Sequence, residues 1–142
     1  MTLRASGLDI GDVHSEVVVD DLTRTQIVQY SGASGDYNPL HSDEIFATQV
    51  AGFPGIFAHG MLTMGLTGKM VTNYVGDGRL RSFGGRFRAQ VWPGDTLTAQ
   101  AEVVDIRNDD DGVGVGVVEL RITTTNQDGL EVFTGQATAT LD

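Results

Sequence analysis

The stretch from Gly60 to Val75 constrains the fold more than any other part of the chain. Apolar residues occupy most of its positions, so it predicts the longest helix of the protein. A helix that is apolar on most of its surface has to be buried. Its three glycines, Gly60, Gly65 and Gly68, lower helix propensity but allow close approach of a backbone or a ligand.

The residues that follow this helix predict a sheet that buries it. Apolar and polar residues alternate over 97–103, which is the period of a half-buried strand. The pattern continues over 113–117 after an acidic turn at 109–112, and Asp128-Gly129 begins a final hairpin into 130–141. We therefore expect an antiparallel meander in the second half of the chain.

The first half predicts a strand and a helix. Residues 13–19 are rich in β-branched residues and follow a turn signal, which indicates a strand. Thr23 and Gln26 have the spacing of a capping box, with Thr23 as the N-cap of a helix. That helix should end by Gly32 or Gly35.

A loop should follow over 35–42, because a proline disfavours helical backbone in the residue before it, here Asn38. Ser42 is then placed to cap a second short helix over 43–47, which has acids in its first turn. Together these elements predict an α+β domain in which an antiparallel sheet wraps around one long central helix. At this length, a single domain over 1–142 is expected.

Composition narrows the possible functions. The formal net charge of −10 disfavours nucleic acid as the main partner, because binding phosphates requires an excess of basic residues. The chain has no cysteine, which excludes thiol catalysis and cysteine-ligated metals and fits a reducing compartment. No apolar run approaches the roughly 20 residues that span a bilayer, and no signal peptide is evident. We expect a soluble, cytoplasmic protein.

Two short segments carry the residue types of acid–base chemistry, namely Gly35-Asp36-Tyr37-Asn38-Pro39-Leu40-His41 and Phe57-Ala58-His59-Gly60. Taken singly, each residue has an ordinary explanation. Asp36 could be a turn acid, Asn38-Pro39 a turn, and His41 a surface or core histidine. In combination, they place an acid, a base and a helix N-terminus within a few turns of chain.

The first of these segments resembles the MaoC-like, or R-specific, enoyl-thioester hydratases of the hot-dog fold. The similarity extends to Tyr30, to Ala47 and to Ala58-His59-Gly60-Met61, and the order of elements agrees over nearly the whole chain. Residues 23–77 are also similar to the catalytic subunit of actinobacterial (3R)-hydroxyacyl-carrier-protein dehydratases. The resemblance implies a hot-dog domain.

The resemblance also implies a reaction and its residues. The implied reaction is the R-specific hydration of a trans-2-enoyl thioester, or the reverse dehydration. Asp36 and His41 would be the catalytic pair, and the Gly60 N–H would stabilise the thioester oxygen. The resemblance implies Asn38 as a supporting residue, and we assign it to substrate binding. His59 is assigned to substrate binding as well. Alternatively, His59 could cap the long helix or form a hydrogen bond with the loop.

Further implications concern the substrate and the assembly. The resemblance implies a homodimer, or a heterodimer with a related subunit, and no cofactor beyond the coenzyme A or phosphopantetheine of the substrate. Two other functions stay open. One is a hot-dog thioesterase, against which the Asp-x-Asn-Pro-x-His pattern argues. The other is a non-catalytic acyl-binding subunit, which would be expected to lack the Asp/His pair.

Four arginines, Arg79, Arg81, Arg86 and Arg88, lie within ten positions. A bulge at Gly84-Gly85 would bring both pairs to one face of a strand. Such a patch, with Arg86 and Arg88 as its substrate-binding members, could bind coenzyme A phosphates or an acidic carrier protein. A solvated strand with ordinary ion pairs is the alternative.

A metal site also has to be weighed. His41, Asp43 and His59 match the two-histidine, one-carboxylate pattern of non-haem iron sites. Asp43, however, has a ready role as an acid in the first turn of the short helix. We therefore expect no metal.

Overall fold

The computed structural model describes residues 3–108 and 116–142, which form a five-stranded sheet and two α-helices. The strands are β1 (Val13–Val19), β2 (Leu80–Phe87), β3 (Leu97–Asn108), β4 (Gly116–Thr125) and β5 (Glu131–Leu141), and the helices are α1 (Arg24–Ser34) and α2 (Gly60–Val75). Shorter elements are 3-10 turns at Ala5–Gly7 and Pro39–His41 and a π-helix at Phe46–Val50. Neither described α-helix is long and apolar enough to cross a bilayer.

All strand pairs are antiparallel, and the strand order is β1-β3-β4-β5-β2. Helix α2 packs on one face of this sheet and contacts β1, β2, β3 and β5. The predicted α+β arrangement, a sheet around one long helix, is therefore confirmed. The predicted turn at 109–112 and the predicted strand residues Val113 and Val115 lie outside the described residues.

Small side chains on the inner face of the sheet allow α2 to pack closely. The helix contributes Met70, Val71 and Val75, each at most 1% exposed. Burying a large apolar side chain of this kind stabilises the fold by about 1.5–3 kcal/mol relative to exposing it. The facing strands contribute four fully buried alanines, which are Ala99, Ala101, Ala137 and Ala139. The alternation predicted for β3 is confirmed, and the start of α2 is held at a fixed place beside the sheet.

Helix α1 has both of its predicted ends. The Thr23 hydroxyl accepts a hydrogen bond from the N–H of Gln26 at 3.1 Å, and the Gln26 side chain accepts one from the N–H of Thr23 at 2.9 Å. The helix ends at Ser34, and Gly35 adopts the left-handed conformation, with φ of 76°. Glycine reaches this conformation at little cost, so the chain turns sharply into the next loop.

The second short helix differs from its prediction. The expected cap was Ser42, but the Asp43 carboxylate accepts the hydrogen bond from the Phe46 N–H, at 3.0 Å. The reason is the preceding turn: the N–H groups of Ser42 and Asp43 both donate to the Pro39 carbonyl, so Ser42 still belongs to that turn. The chain then continues as the π-helix Phe46–Val50 rather than as an α-helix over 43–47.

The bulge in β2 also differs from its prediction. Its pairing with β5 is continuous from Ser82 to Phe87, and the register shifts between Leu80 and Ser82. The predicted bulge at Gly84-Gly85 is therefore wrong. Gly85 pairs directly with Gly135, and the absence of side chains at both positions allows the two backbones to approach closely there.

We predict that Gly135→Ala destabilises the protein by about 1–3 kcal/mol, because a Cβ at this position would overlap the Gly84 carbonyl oxygen of the paired strand. Gly84→Ala is the matched control, since a Cβ there meets no atom within 4 Å. Urea unfolding of both variants measures the difference. Equal stability of the two variants would contradict the close approach of β2 and β5.

Candidate active site

The loop after α1 is shaped by two short side-chain hydrogen bonds. The Asp36 carboxylate accepts from the Asn38 N–H at 3.2 Å, and the Asn38 side-chain oxygen accepts from the Leu40 N–H at 3.0 Å. The second bond caps the 3-10 turn Pro39–His41. Because these bonds link residues two positions apart, the local sequence itself directs His41 towards Asp36. This is where the structure places the predicted substrate-binding residue Asn38.

Asp36 and His41 come together as predicted. The Asp36 Oδ2 atom lies 3.9 Å from Nε2 of His41. The other ring nitrogen of His41, Nδ1, lies 2.6 Å from the main-chain oxygen of Phe57. A carbonyl oxygen can only accept, so Nδ1 carries the hydrogen, and Nε2 of the neutral ring is an acceptor that faces Asp36. His41 is 8% exposed, whereas the Asp36 side chain is half exposed.

His59 is buried directly behind this pair. Its Nε2 atom lies 3.1 Å from the main-chain oxygen of Asp36 and 3.1 Å from the hydroxyl of Ser31. Its ring stacks on that of His41, with centroids 3.8 Å apart and planes 25° apart. Tyr30 makes an edge contact with the same ring at 4.8 Å. The sequence offered two roles for His59 besides substrate contact, a helix cap and a hydrogen bond to the loop. The structure has the hydrogen bond to the loop, and the His59 side chain does not cap α2.

Burial sets the charge of His59. It lowers the pKa of the imidazole below the usual value of histidine; the hydrogen bond to the Asp36 carbonyl opposes this shift, and the neighbouring His41 adds to it. His59 is therefore neutral near pH 7. The neutral ring donates through Nε2 to the Asp36 carbonyl.

Gly60 is the first residue of α2. The first N–H groups of a helix have no carbonyl partner inside that helix, and the side chain of His59 does not cap them. The N–H of Gly60 is therefore available to an acceptor, next to the positive end of the helix dipole. A Cβ at Gly60 would lie 2.9 Å from the ring of Phe87, so this position requires glycine.

A cavity of about 280 Å³ opens at this end of α2, and Gly60, Thr63, Phe87 and Arg88 are among its lining residues. Phe57 also lines it, and the Phe57 ring centroid is 5.4 Å from that of His41. The cavity thus lies next to the pair formed by Asp36 and His41, and Gly60 lines it.

Of the predicted arginines, Arg81 and Arg86 lie in β2, whereas Arg79 directly precedes this strand and Arg88 directly follows it. Arg86 and Arg88 are exposed and line a second, polar cavity of about 380 Å³. Arg88 also donates from Nε to the Thr134 hydroxyl at 2.8 Å. Arg79 is tied elsewhere, to the main-chain oxygen of Leu3 and to the Asp142 carboxylate. Since Arg88 lines both cavities, a cationic surface continues from the Gly60 cavity to Arg86.

The atoms that could hold a metal are those of Asp36, His41 and His59, which lie within 4.8 Å of one another. This set differs from the pattern weighed in the sequence, because the Asp43 carboxylate caps the following helix. Nδ1 of His41 and Nε2 of His59 are already hydrogen-bonded. Two of the ring nitrogens that could bind a metal are thus engaged in hydrogen bonds within the protein.

Three contributors to the site were not predicted, namely Ser31, the Phe57 carbonyl and the Phe87 ring. Ser31 has a weak sequence signal, because it lies four positions after buried Ile27 and thus on the inner face of α1. A main-chain carbonyl carries no residue signal. Phe87 reaches Gly60 only through the pairing of β2 with β5, which a sequence does not specify.

Comparisons with known proteins agree with this geometry. The chain is 39% identical over 98 residues to 3-hydroxyacyl-thioester dehydratase Y of Mycobacterium tuberculosis, covering 67% of this chain and 34% of that protein. The solved (R)-hydratase from A. caviae involved in PHA biosynthesis superposes with a TM-score of 0.80 at 27% identity, covering 95% of this chain and 98% of the other.

A double hot-dog protein of Mycobacterium tuberculosis superposes with a TM-score of 0.82 at 25% identity, covering 99% of this chain and 44% of the other. The predicted hot-dog fold is therefore confirmed. The chain spans about a third of the length of the dehydratase and less than half of the double hot-dog protein. A family model described as "MaoC like domain" matches residues 9–126, which shows that this chain belongs to the MaoC-like dehydratase family.

Proposed function

We propose that the chain catalyses R-specific hydration of trans-2-enoyl thioesters, or the reverse dehydration of (3R)-hydroxyacyl thioesters. One observation carries this proposal: the Asp36 carboxylate and Nε2 of His41 lie 3.9 Å apart, with Nδ1 of His41 bonded to the Phe57 carbonyl. This separation is too long for a direct hydrogen bond but suits two groups that share one water.

The shared water would donate one hydrogen to Asp36 and the other to Nε2 of His41, because both are acceptors. Its oxygen lone pairs are then free to attack the β-carbon of the enoyl group. The catalytic pair takes one proton from the water and returns it to the α-carbon. The sum is one hydroxyl on the β-carbon and one hydrogen on the α-carbon, added on the same face.

The electrons of the carbon–carbon double bond move towards the thioester oxygen as the water attacks. The N–H of Gly60, at the start of the 16-residue helix α2, would stabilise the negative charge on that oxygen. When the proton reaches the α-carbon, the thioester carbonyl forms again. No electron acceptor or donor is needed, so the only cofactor moiety is the coenzyme A or phosphopantetheine of the substrate.

The coenzyme A or phosphopantetheine part of the substrate would lie along Arg86 and Arg88. Arg88 lines the cavity that contains Gly60 and also the polar cavity that contains Arg86. A thioester carbonyl at Gly60 therefore places its phosphopantetheine arm close to guanidinium groups, which bind phosphate well. The protein has a net charge of −10, so this local patch provides an attraction for anions that the whole chain does not.

We further propose that the chain works as a pair of hot-dog units, either a homodimer or a heterodimer with a related subunit. Two observations support this. The chain superposes on 44% of a double hot-dog protein, which is close to one of two units. Tyr37, in the loop between Asp36 and His41, and Val50 are 71% and 70% exposed, and a second unit would cover such side chains.

We predict that Asp36→Asn and His41→Ala each lower kcat for crotonyl-CoA hydration by about 10²- to 10⁴-fold, since each removes one member of the proton-transferring pair. The loss is measured from the disappearance of enone absorbance. Asp128→Asn and His14→Ala are the matched controls, because Asp128 lies in an exposed turn and His14, on β1, stacks on Tyr74 near the far end of α2.

The same experiment separates the other two functions. A thioesterase would release free thiol, which a thiol-reactive dye detects, and would form no hydroxyacyl product. A non-catalytic subunit would show activity only with a partner, and that activity would survive Asp36→Asn in this chain. Retention of most of the rate in either catalytic-pair variant would rule out the assigned pair.

We predict that Arg86→Ala and Arg88→Ala raise KM for crotonyl-CoA by about 3- to 10-fold and change kcat little. The reason is that these arginines would bind the coenzyme A phosphates equally well in the ground state and in the transition state. The N-acetylcysteamine thioester, which lacks the phosphates, should react equally with all variants. Arg107→Ala is the control, since Arg107 pairs with Asp105 and Glu119. Equal KM increases with both substrates would contradict phosphate recognition by this patch.

A further inference from the structure

The mechanism above gives no task to His59, although this side chain touches both members of the catalytic pair. Its Nε2 atom is 3.1 Å from the main-chain oxygen of Asp36, and its ring centroid is 3.8 Å from that of His41. His59 is 2% exposed, and both contacts lie on the protein side of the site. A substrate therefore has little access to it.

The hydrogen-bond partners of His59 define its protonation. The Asp36 carbonyl can only accept, so Nε2 carries the hydrogen. The Ser31 hydroxyl lies 3.1 Å from the same Nε2 atom and also donates to the Ile27 carbonyl at 3.4 Å. Nδ1 of His59 is buried and has no hydrogen-bond partner among the described residues. Protonating Nδ1 would bury an N–H donor without an acceptor, which disfavours the cation.

Burial has the largest effect on the pKa of His59 and lowers it; among the groups that face the ring, His41 lowers it further, whereas the main-chain oxygen and the carboxylate of Asp36 raise it. The groups that face the ring are the Tyr30 ring from α1, the Asp36 residue from the loop and the His41 ring from the Pro39–His41 turn. A second cation stacked on a cationic His41 would be repelled, and burial already lowers the pKa of His59. Nε2 of His41, the ring nitrogen that is not bonded to the Phe57 carbonyl, faces the Asp36 carboxylate instead of His59.

We propose that His59 is a positioning residue: it stays neutral, holds the main chain of Asp36 through its Nε2–H, and keeps the ring of His41 in place by stacking. This role replaces the substrate contact that the sequence suggested for it. The inference rests on the proposed hydratase function. It adds to that function a reason why Asp36 and His41 keep their separation, since one rigid ring contacts the main chain of Asp36 and the ring of His41.

Three variants of the full chain separate the two contacts. His59→Phe keeps a ring against His41 and loses the donor to Asp36, whereas His59→Gln keeps an amide donor and loses the ring. His59→Ala loses both. We expect kcat for crotonyl-CoA to fall about 10-fold in the first two and about 100-fold in the third, because small displacements of catalytic groups have effects of this size. KM should stay within about 3-fold of the wild type.

A measurement on the unmodified protein tests the same role without relying on activity. In nitrogen-15 NMR of the histidine rings, His59 should be neutral at pH 6, with Nε2 protonated and Nδ1 unprotonated, whereas an ordinary histidine with a pKa of about 6.5 is mostly cationic there. His14→Phe removes one of the three histidine signals and is also the activity control, because His14 stacks on Tyr74 away from the site.

The outcomes are distinct. Folded His59 variants with lower kcat and unchanged KM, together with a neutral His59 at pH 6, are the expected result. A raised KM at unchanged kcat would show substrate contact and overturn the inference, as would wild-type kcat in His59→Ala or a cationic His59 at pH 6. If the wild type does not hydrate any enoyl thioester, the proposed function fails, and the NMR result still decides whether His59 is neutral and bonded to Asp36.

Discussion

Helix α2 has too few polar side chains to be stable in water, and the sheet buries it with a face of alanines, valines and leucines. Ala99 and Ala101 on β3 and Ala137 and Ala139 on β5 are fully buried. Their small size brings the helix close to the strands, so its position allows little adjustment. The start of α2 is the place where the N–H of Gly60, a cavity and the loop that carries Asp36 and His41 meet. The site therefore depends on the packing of a helix that takes part in the proposed chemistry only through its first residue.

The loop that carries Asp36 and His41 is positioned in a different way, by short-range hydrogen bonds. Asp36 and Asn38 shape a loop of few residues, and the turn they form ends at His41. Long-range contacts then fix the result, because the Phe57 carbonyl holds His41 and His59 joins the loop to α2. Local hydrogen bonds therefore shape the loop, and buried long-range contacts hold it at the start of α2.

This difference between short-range and long-range contacts explains how much of the structure could be predicted from the sequence. The cap at Thr23, the alternation in β3 and the long helix depend on neighbouring residues, and all three predictions are confirmed. The predicted cap at Ser42 was wrong because the turn that begins at Pro39 extends through Ser42. The predicted bulge at Gly84-Gly85 was wrong because the pairing of β2 with β5 puts the register shift between Leu80 and Ser82.

The predicted meeting of Asp36 and His41 agrees with the structure, because their spacing is short and the turn residues between them are specific. The surroundings of His59 could not be predicted in the same way. Ser31 is 28 positions away from it, and the stacking on His41 requires the folded loop. A sequence can identify residues suited to proton transfer, but the contacts that hold them depend on the whole fold.

The most direct test of the account is the hydration of crotonyl-CoA by the purified chain, with chiral analysis of the product. The account predicts loss of enone absorbance and formation of (R)-3-hydroxybutyryl-CoA with no release of free coenzyme A. Formation of the (S) product would contradict the R-specificity that the family resemblance implies. Release of free coenzyme A without any hydroxyacyl product would contradict hydration itself.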